Sequence, residues 1–338
     1  MDKYLAHRGI LRRRRALLVL FGGVAFVPHR VRAQPARQPR IGYLLYTPIT
    51  EPPSRERQAF LEGLQEQGLI PGKTVELIYG SAEGEAEFID AVCQDLLKRG
   101  PDVIVVSGSV ATLAAKKATR KIPIVMLAVG DPVGIGAVQS IARPGGNVTG
   151  VSFISTDLAP KRLQLAMQCA PGAKRLAVIW DRRNDNARSE ARAALAAAPR
   201  LGLEPEAHPL ASDRELATAF GRLSGSRPDL LYVTFEGGLV SANRTAIAQF
   251  GLRERVPVVS GWNFLTEAGG LLSYAPDIPA MFRRGAYYVD RVLKGASPET
   301  LPIELPTNVS LVVNLKTAKA IGVTVPRELL LRADRLIE

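Results

Sequence analysis

The apolar run 103–106 ends in "SGSVATLAAKKA", which puts Ser107, Gly108 and Ser109 at the start of a helical pattern. A helix N-terminus with unpaired N–H groups, two nearby hydroxyls and a glycine that lets a ligand approach the backbone suits an anion such as a carboxylate. The same residue types also cap helices without binding anything, so both roles stand. A second candidate follows the apolar run 124–127. Asp131 in "AVGDPVGIG" can meet a ligand ammonium, or it can form the turn before Pro132. The glycines beyond it do not make a nucleotide loop. Gly134 and Gly136 begin a dinucleotide fingerprint, but position 139 is glutamine, and no P-loop pattern occurs anywhere. "ARPGGNVTG" then reads as a turn and an extended exit.

Catalysis and metal binding find little to work with. Beyond residue 33 the only histidine is His208, in an expected strand with no nucleophile arranged around it, which suits a structural role. No His, Cys and carboxylate cluster has metal-ligand spacing, so no metal and no other cofactor is expected. Carboxylate pairs across a cleft leave glycosidase-like chemistry open but disfavoured. Aromatic residues make up only 6% of the chain, yet Tyr46, Trp180, Phe235, Trp262 and Tyr274 all fall near expected strand ends. There they either line a pocket for a flat or apolar ligand or pack at the edge of a core.

These positions depend on alternating elements. Short apolar runs at 41–45, 75–78, 103–106 and 124–127 alternate with helical patterns such as "SRERQAFLEGLQEQG" and "EFIDAVCQDLLKRG". A second set, 176–180, 204–208, 230–235 and 256–260, repeats the alternation. Such alternation predicts α/β architecture with parallel sheets and helices on their faces. The halves match in order: "RIGYLLY" with "RLAVIWD", "GPDVIVVSGS" with "RPDLLYVTFE", and "KIPIVML" with "RVPVVSG". Two Rossmann-like lobes are expected, and ligands of open parallel sheets bind beyond the carboxyl ends of the strands. Two lobes facing each other at those ends would enclose a cleft. The tail adds a helix from about Pro279 to Gly295, with Phe282, Val289, Val292 and Leu293 on its buried side, then a strand and a short helix.

Composition narrows the function classes. The formal charge of +12 suggests nucleic acid or acidic membranes, but residues 1–33 hold eight Lys/Arg against Asp2 alone. Without them the charge falls to +5 with no basic block, so nucleic acid is not an expected partner. That N-terminus reads as an export signal. Arg12–Arg15 precede an apolar run of twelve residues, 16–27, and Ala33 offers a cleavage site before Gln34. An uncleaved anchor is the alternative, although twelve residues are short for a bilayer. The loose "RRALL" leaves the general secretory and twin-arginine routes both open. Export would put the chain in an oxidising compartment, where a Cys93–Cys169 disulfide is conceivable, though helical spacing makes Cys93 a packing residue.

"IPIVMLAVGDPVGIGAVQSIARPGGNVTGVS", "KRLQL" and the stretch from "EAGGLLSYAPDIPAMFRRGAYYVDRVLKG" to the end resemble the ABC-transporter substrate-binding family. The resemblance covers about residues 40–338 and implies a type I periplasmic-binding fold. It also implies a periplasmic receptor that delivers a small solute to an ABC permease in the inner membrane. By position, Ser107, Ser109, Asp131 and Tyr274 match places near that family's cleft. In "FEGGLVSANR", Glu236 stands where relatives commonly carry an aspartate. Relatives that bind aromatic amino acids are compatible with the aromatic residues named above.

The expected ligand-binding set is therefore Tyr46, Ser107, Ser109, Asp131, Trp180, Glu236, Trp262 and Tyr274. Expected lobe 1 is 40–153 plus 276–304, and lobe 2 is 154–275 plus 305–338. A three-stranded hinge lies near 151–155, 273–276 and 305–308, and the receptor works as a monomer by closing its lobes. A sensory receptor of the same fold would signal to a membrane kinase instead of a permease. A secreted α/β enzyme would turn its substrate over.

Overall fold

The computed structural model describes residues 37–235 and 238–338. The expected export segment 1–33 and Glu236 lie outside the described residues. The first α/β unit runs β1 (Arg40–Leu45), α1 (Arg55–Glu66), β2 (Glu76–Ser81), α2 (Ile89–Lys98), β3 (Val103–Ser107), α3 (Gly108–Ala118), β4 (Ile124–Val129) and β5 (Val148–Ser152). Its five strands are all parallel, in the order β2-β1-β3-β4-β5. The second unit begins with α4 (Ser155–Cys169), β6 (Arg175–Asp181), α5 (Asp185–Ala197), β7 (Glu204–Leu210) and α6 (Asp213–Ser226). It continues with β8 (Leu230–Val233), α7 (Gly238–Ala242), α8 (Arg244–Glu254), β9 (Val258–Ser260), α9 (Asn263–Glu267) and β10 (Leu272–Pro276). The tail supplies α10 (Ile278–Leu293), β11 (Val309–Asn314), α11 (Leu315–Ile321), α12 (Arg327–Arg332) and β12 (Arg335–Ile337).

The likeness of the two halves extends to their topology. The second sheet runs β12-β11-β10-β9-β8-β6-β7, so its strands β6 to β10 repeat the arrangement of β1 to β5. The parallel pattern breaks only between β10 and β11, so β11 and β12 run together against the other five strands. The Pro-Asp pairs fix the same joint in each half. Asp102 Oδ2 accepts the Arg40 N–H at 2.7 Å, and Asp229 Oδ2 accepts those of Lys174 and Arg175 at 2.9 and 2.8 Å. Each carboxylate thus fastens the start of one strand to the start of its neighbour. For Asp229, burial pushes the carboxyl pKa up. The two N–H bonds and the Arg175 guanidinium outweigh that push and hold it below the usual range.

Strands buried on both faces read as unbroken apolar runs. All six residues of β4 are buried. Helix α10 does not stay with the second sheet; it packs on α1, β4 and β5, burying Phe282, Val289 and Val292 with Leu293 partly covered. Asp277 caps it, accepting the Ala280 N–H at 3.0 Å. The chain therefore passes between the two units three times: after β5, after β10 and before β11. The last passage is held to lobe 1 by Glu304, whose N–H donates to Gly150 O at 3.0 Å while its carbonyl accepts from Ser152 N at 2.9 Å.

Cys93 and Cys169 are free, buried thiols in the separate cores of the two units, and burial pushes each pKa up to about 11. They serve as packing groups. Among the described residues no helix is long and apolar enough to cross a membrane.

Candidate functional site

The carboxyl ends of both sheets face a cleft of about 1870 Å³. That exceeds the roughly 300–1,000 Å³ of a small-ligand pocket. The surplus arises because the cleft continues from the space between the lobes along the crossing strands to residues 304–310. A smaller groove of about 550 Å³ beside α1, lined by Leu61, Ile70, Leu77 and Tyr79, belongs to one lobe alone.

Lobe 1 presents Tyr46 after β1, and Ser107, Gly108 and Ser109 where β3 turns into α3. Gly108 takes φ +75°, a left-handed conformation that a side chain would strain, and it opens the helix toward the cleft. Ser107 occupies the N-cap position without a side-chain cap bond, and Ser109 sits inside the first turn, buried, donating to Asn184 Oδ1 at 3.3 Å. The adjoining Ala128, also in the cleft, has φ +51° at a register irregularity between β4 and β5. Strained backbone of this kind collects at working sites.

Lobe 2 presents an aromatic wall. Phe235 stacks on Trp262 with ring centroids 4.2 Å apart and planes 19° from parallel, and Phe264 meets Trp262 edge to face with centroids 3.8 Å apart. Phe153, at the first crossing, touches Phe235 at 4.0 Å. Tyr274 lines the same cleft from β10. Beside the wall, Asp181 at the end of β6 accepts from its neighbour Arg183 through both carboxylate oxygens, from Nε and from Nη2, each at 2.9 Å. That pair is charge-neutral as it stands. It faces Tyr46, whose pKa rises through burial, with Arg183 pulling it down and Asp181 pushing it up.

The lobes touch across this cleft. Besides the Ser109–Asn184 bond, the Asp131 N–H donates to Asn186 Oδ1 at 3.0 Å. Gly238, opening α7, lies so close to Tyr46 that a Cβ there would be 3.2 Å from the ring.

Of the expected set, Tyr46, Ser107, Ser109, Trp262 and Tyr274 come together in the cleft, while Asp131 and Trp180 do not line it. Asp131 fastens its own turn: Oδ1 accepts the Gly134 N–H at 2.8 Å, which is the turn-forming role open to an Asp before proline. Trp180 shares a strand face with Leu176 and Val178 and packs into the lobe 2 core, 9% exposed. His208 lies buried on the edge strand β7, outside the cleft. The expected ligand-binding set leaves out Asp181, Arg183 and Asn184, which line the cleft. The signal was available: period two sends Asp181 to the face opposite Trp180. Phe264 had no signal beyond its nearness to Trp262. Among the described residues no group of three His, Cys, Asp or Glu side chains is placed to hold a metal.

A family model for ABC transporter substrate binding proteins matches residues 48–337. A tyrosine-binding protein from Clostridioides difficile strain R20291 is 25% identical over 276 residues, 81% of this chain and 79% of that protein. The crystal structure of a conserved domain protein from Vibrio cholerae O1 biovar El Tor superposes with a TM-score of 0.83 at 25% identity, covering 89% of this chain and all of that one. An ABC domain from Streptococcus pneumoniae in complex with L-Trp gives a TM-score of 0.81 at 24% identity, again covering 89% and 100%.

Proposed function

The chain belongs to the ABC transporter substrate-binding protein family, and from that premise we propose that it captures an aromatic amino acid between its lobes. One observation carries this reading. A single cleft offers an aromatic wall from lobe 2, Phe235, Trp262 and Phe264, and a helix start from lobe 1 at which Ser107 makes no side-chain cap bond. The wall suits a flat ring. The start of α3, with Ser107 and Ser109, suits a carboxylate. Tyr46 and Tyr274 border the ligand between these ends. The relative named as a tyrosine-binding protein supports the same ligand class.

In this reading lobe 1 is 40–153 plus 276–304 and lobe 2 is 154–275 plus 305–338. A ligand that touches both favours the closed form by its differential affinity for it. Residues 1–33 direct export to the periplasm, and the closed monomer hands its ligand to an ABC permease in the inner membrane. Calorimetry and thermal melting with L-tyrosine, L-tryptophan and L-phenylalanine test the ligand class. At 100 times the dissociation constant, binding should add about 2.7 kcal/mol of stability. If none of the three shifts the melt while a non-aromatic solute does, the aromatic reading is wrong.

A further inference from the structure

Beneath the lobe 2 side of the cleft lies an ion pair sealed from water. Arg162 on α4 is 0% exposed and Glu190 on α5 is 1% exposed, with Nη1 and Oε1 2.9 Å apart. Burying two charges is costly unless their remaining hydrogen-bonding capacity is met, and a buried pair is weak evidence of a purely stabilising role. What the pair holds is therefore informative. Arg162 Nε donates to Tyr274 O at 2.8 Å, and Nη1 donates to Ser155 O at 3.1 Å. Glu190 Oε2 accepts the Phe235 N–H at 2.8 Å and pairs closely with the Ser155 hydroxyl, while Oε1 accepts the Tyr232 hydroxyl at 2.7 Å. Burial pushes the Tyr232 pKa well up, with the Glu190 carboxylate adding to it, so its hydroxyl stays a donor.

Each contact reaches a working part of the receptor. Ser155 begins α4 just after the first crossing, and Tyr274 lies on β10 at the second. Phe235 is the inner ring of the aromatic wall, stacked on Trp262. Even the residue before Trp262 is constrained by the pair. A Cβ on Gly261 would fall 2.5 Å from Arg162 Nη2, so the guanidinium lies directly under the loop that carries the wall.

We propose that Arg162 and Glu190 are positioning residues for ligand binding, fixing the Phe235–Trp262 wall and two hinge crossings to one another. They touch no ligand. Their effect on ligand affinity rests on the aromatic reading above; their effect on the wall does not. When the lobes close, the wall and the crossings then move as one body.

The test has a readout on each side of that division. In a Trp180→Phe background, Trp262 is the only tryptophan left, because the chain has two. Glu190→Gln, and the paired apolar replacement Arg162→Met with Glu190→Leu that leaves no unmatched charge, are compared with Leu96→Ala, a destabilised core control in lobe 1. Well below each melting temperature, both network variants should red-shift Trp262 emission and raise its acrylamide quenching about twofold, as a stacked indole gains access to solvent. L-tyrosine affinity should fall about tenfold, the scale of one lost charge-assisted hydrogen bond. Leu96→Ala should change neither. If both network variants keep wild-type emission and quenching, the pair is structural and the proposal is overturned. A wild-type protein that binds none of L-tyrosine, L-tryptophan and L-phenylalanine removes the ligand reading and leaves the indole readout to decide the positioning.

Discussion

Gly238→Leu should wedge the lobes apart. A Cβ at this position lies 3.2 Å from Tyr46 Cε1 and 3.5 Å from Oη, already inside comfortable carbon contact at the first atom. The leucine branch reaches further by carbon–carbon bonds of ~1.5 Å each, so it must overlap the ring or displace it. Overpacking of this kind costs about 1–3 kcal/mol. The open form escapes that cost, because Tyr46 and Gly238 stand on different lobes. The penalty therefore falls on closure, and ligand affinity should drop roughly five- to 150-fold. The empty protein should melt no lower, since leucine is a better helix former than glycine at the start of α7. Calorimetry with L-tyrosine gives the affinity, and small-angle scattering should show a larger particle at equal ligand saturation. Adding Tyr46→Ala to Gly238→Leu should recover part of the closure. Wild-type affinity in Gly238→Leu would refute the argument, because it would mean the lobes bind ligand without bringing these two residues together.

Asp131→Asn should leave ligand affinity unchanged, since an amide oxygen still accepts the Gly134 N–H, whereas Asp131→Ala should lower the melting temperature by loss of that bond, about 0.5–1.5 kcal/mol. A fall in affinity with Asn at an unchanged melting temperature would return Asp131 to the cleft. Asp229→Asn should destabilise the protein at neutral pH. Because the folded carboxyl pKa is depressed, its contribution is complete above the unfolded value near 3.9 and is lost as pH falls through the folded one. The melting difference between wild type and variant should therefore shrink in acid, and a constant difference from neutral pH into strong acid would contradict the assignment. N-terminal sequencing of periplasmic protein should begin near Gln34; material that retains Met1 and stays with membranes would exclude cleavage at that site.

The two lobes and their parallel sheets were legible because the type of each element follows from local signals. Apolar runs buried on both faces, helices between them, and a Pro-Asp pair in each half marked four strands per lobe, whereas the order of the strands and the fifth of each set, β5 and β10, came only with the structure. Helix α10 was legible as a helix, with its buried side correctly read. Its packing against lobe 1 was less so, because apolar periodicity names a face and not the partner of that face.

The site was legible to the extent that strand ends locate it, and no further. Listing strand ends gathered Tyr46, the Ser107–Ser109 turn, Trp262 and Tyr274 into one cleft. Nearness to a strand end also points to Trp180, but side-chain alternation turns Trp180 into the core and leaves Asp181 facing the opening. Asp131 lies outside the cleft lining for another reason. A carboxylate before proline can bind a ligand or fasten a turn, and only the position of the Gly134 N–H decides between them. The Arg162–Glu190 pair was hidden more deeply. Its partners lie on α4, α5, β8 and β10 and on the segment after β8, far apart in sequence, and a charged residue in a helical pattern ordinarily reads as solvent-facing. Charges are buried completely where the fold supplies partners for nearly all of their polar atoms, and in this pair only Arg162 Nη2 lacks one. In this protein those partners are the hinge crossings and the inner ring of the aromatic wall, so the pair least visible in the sequence is the one that joins binding to closure.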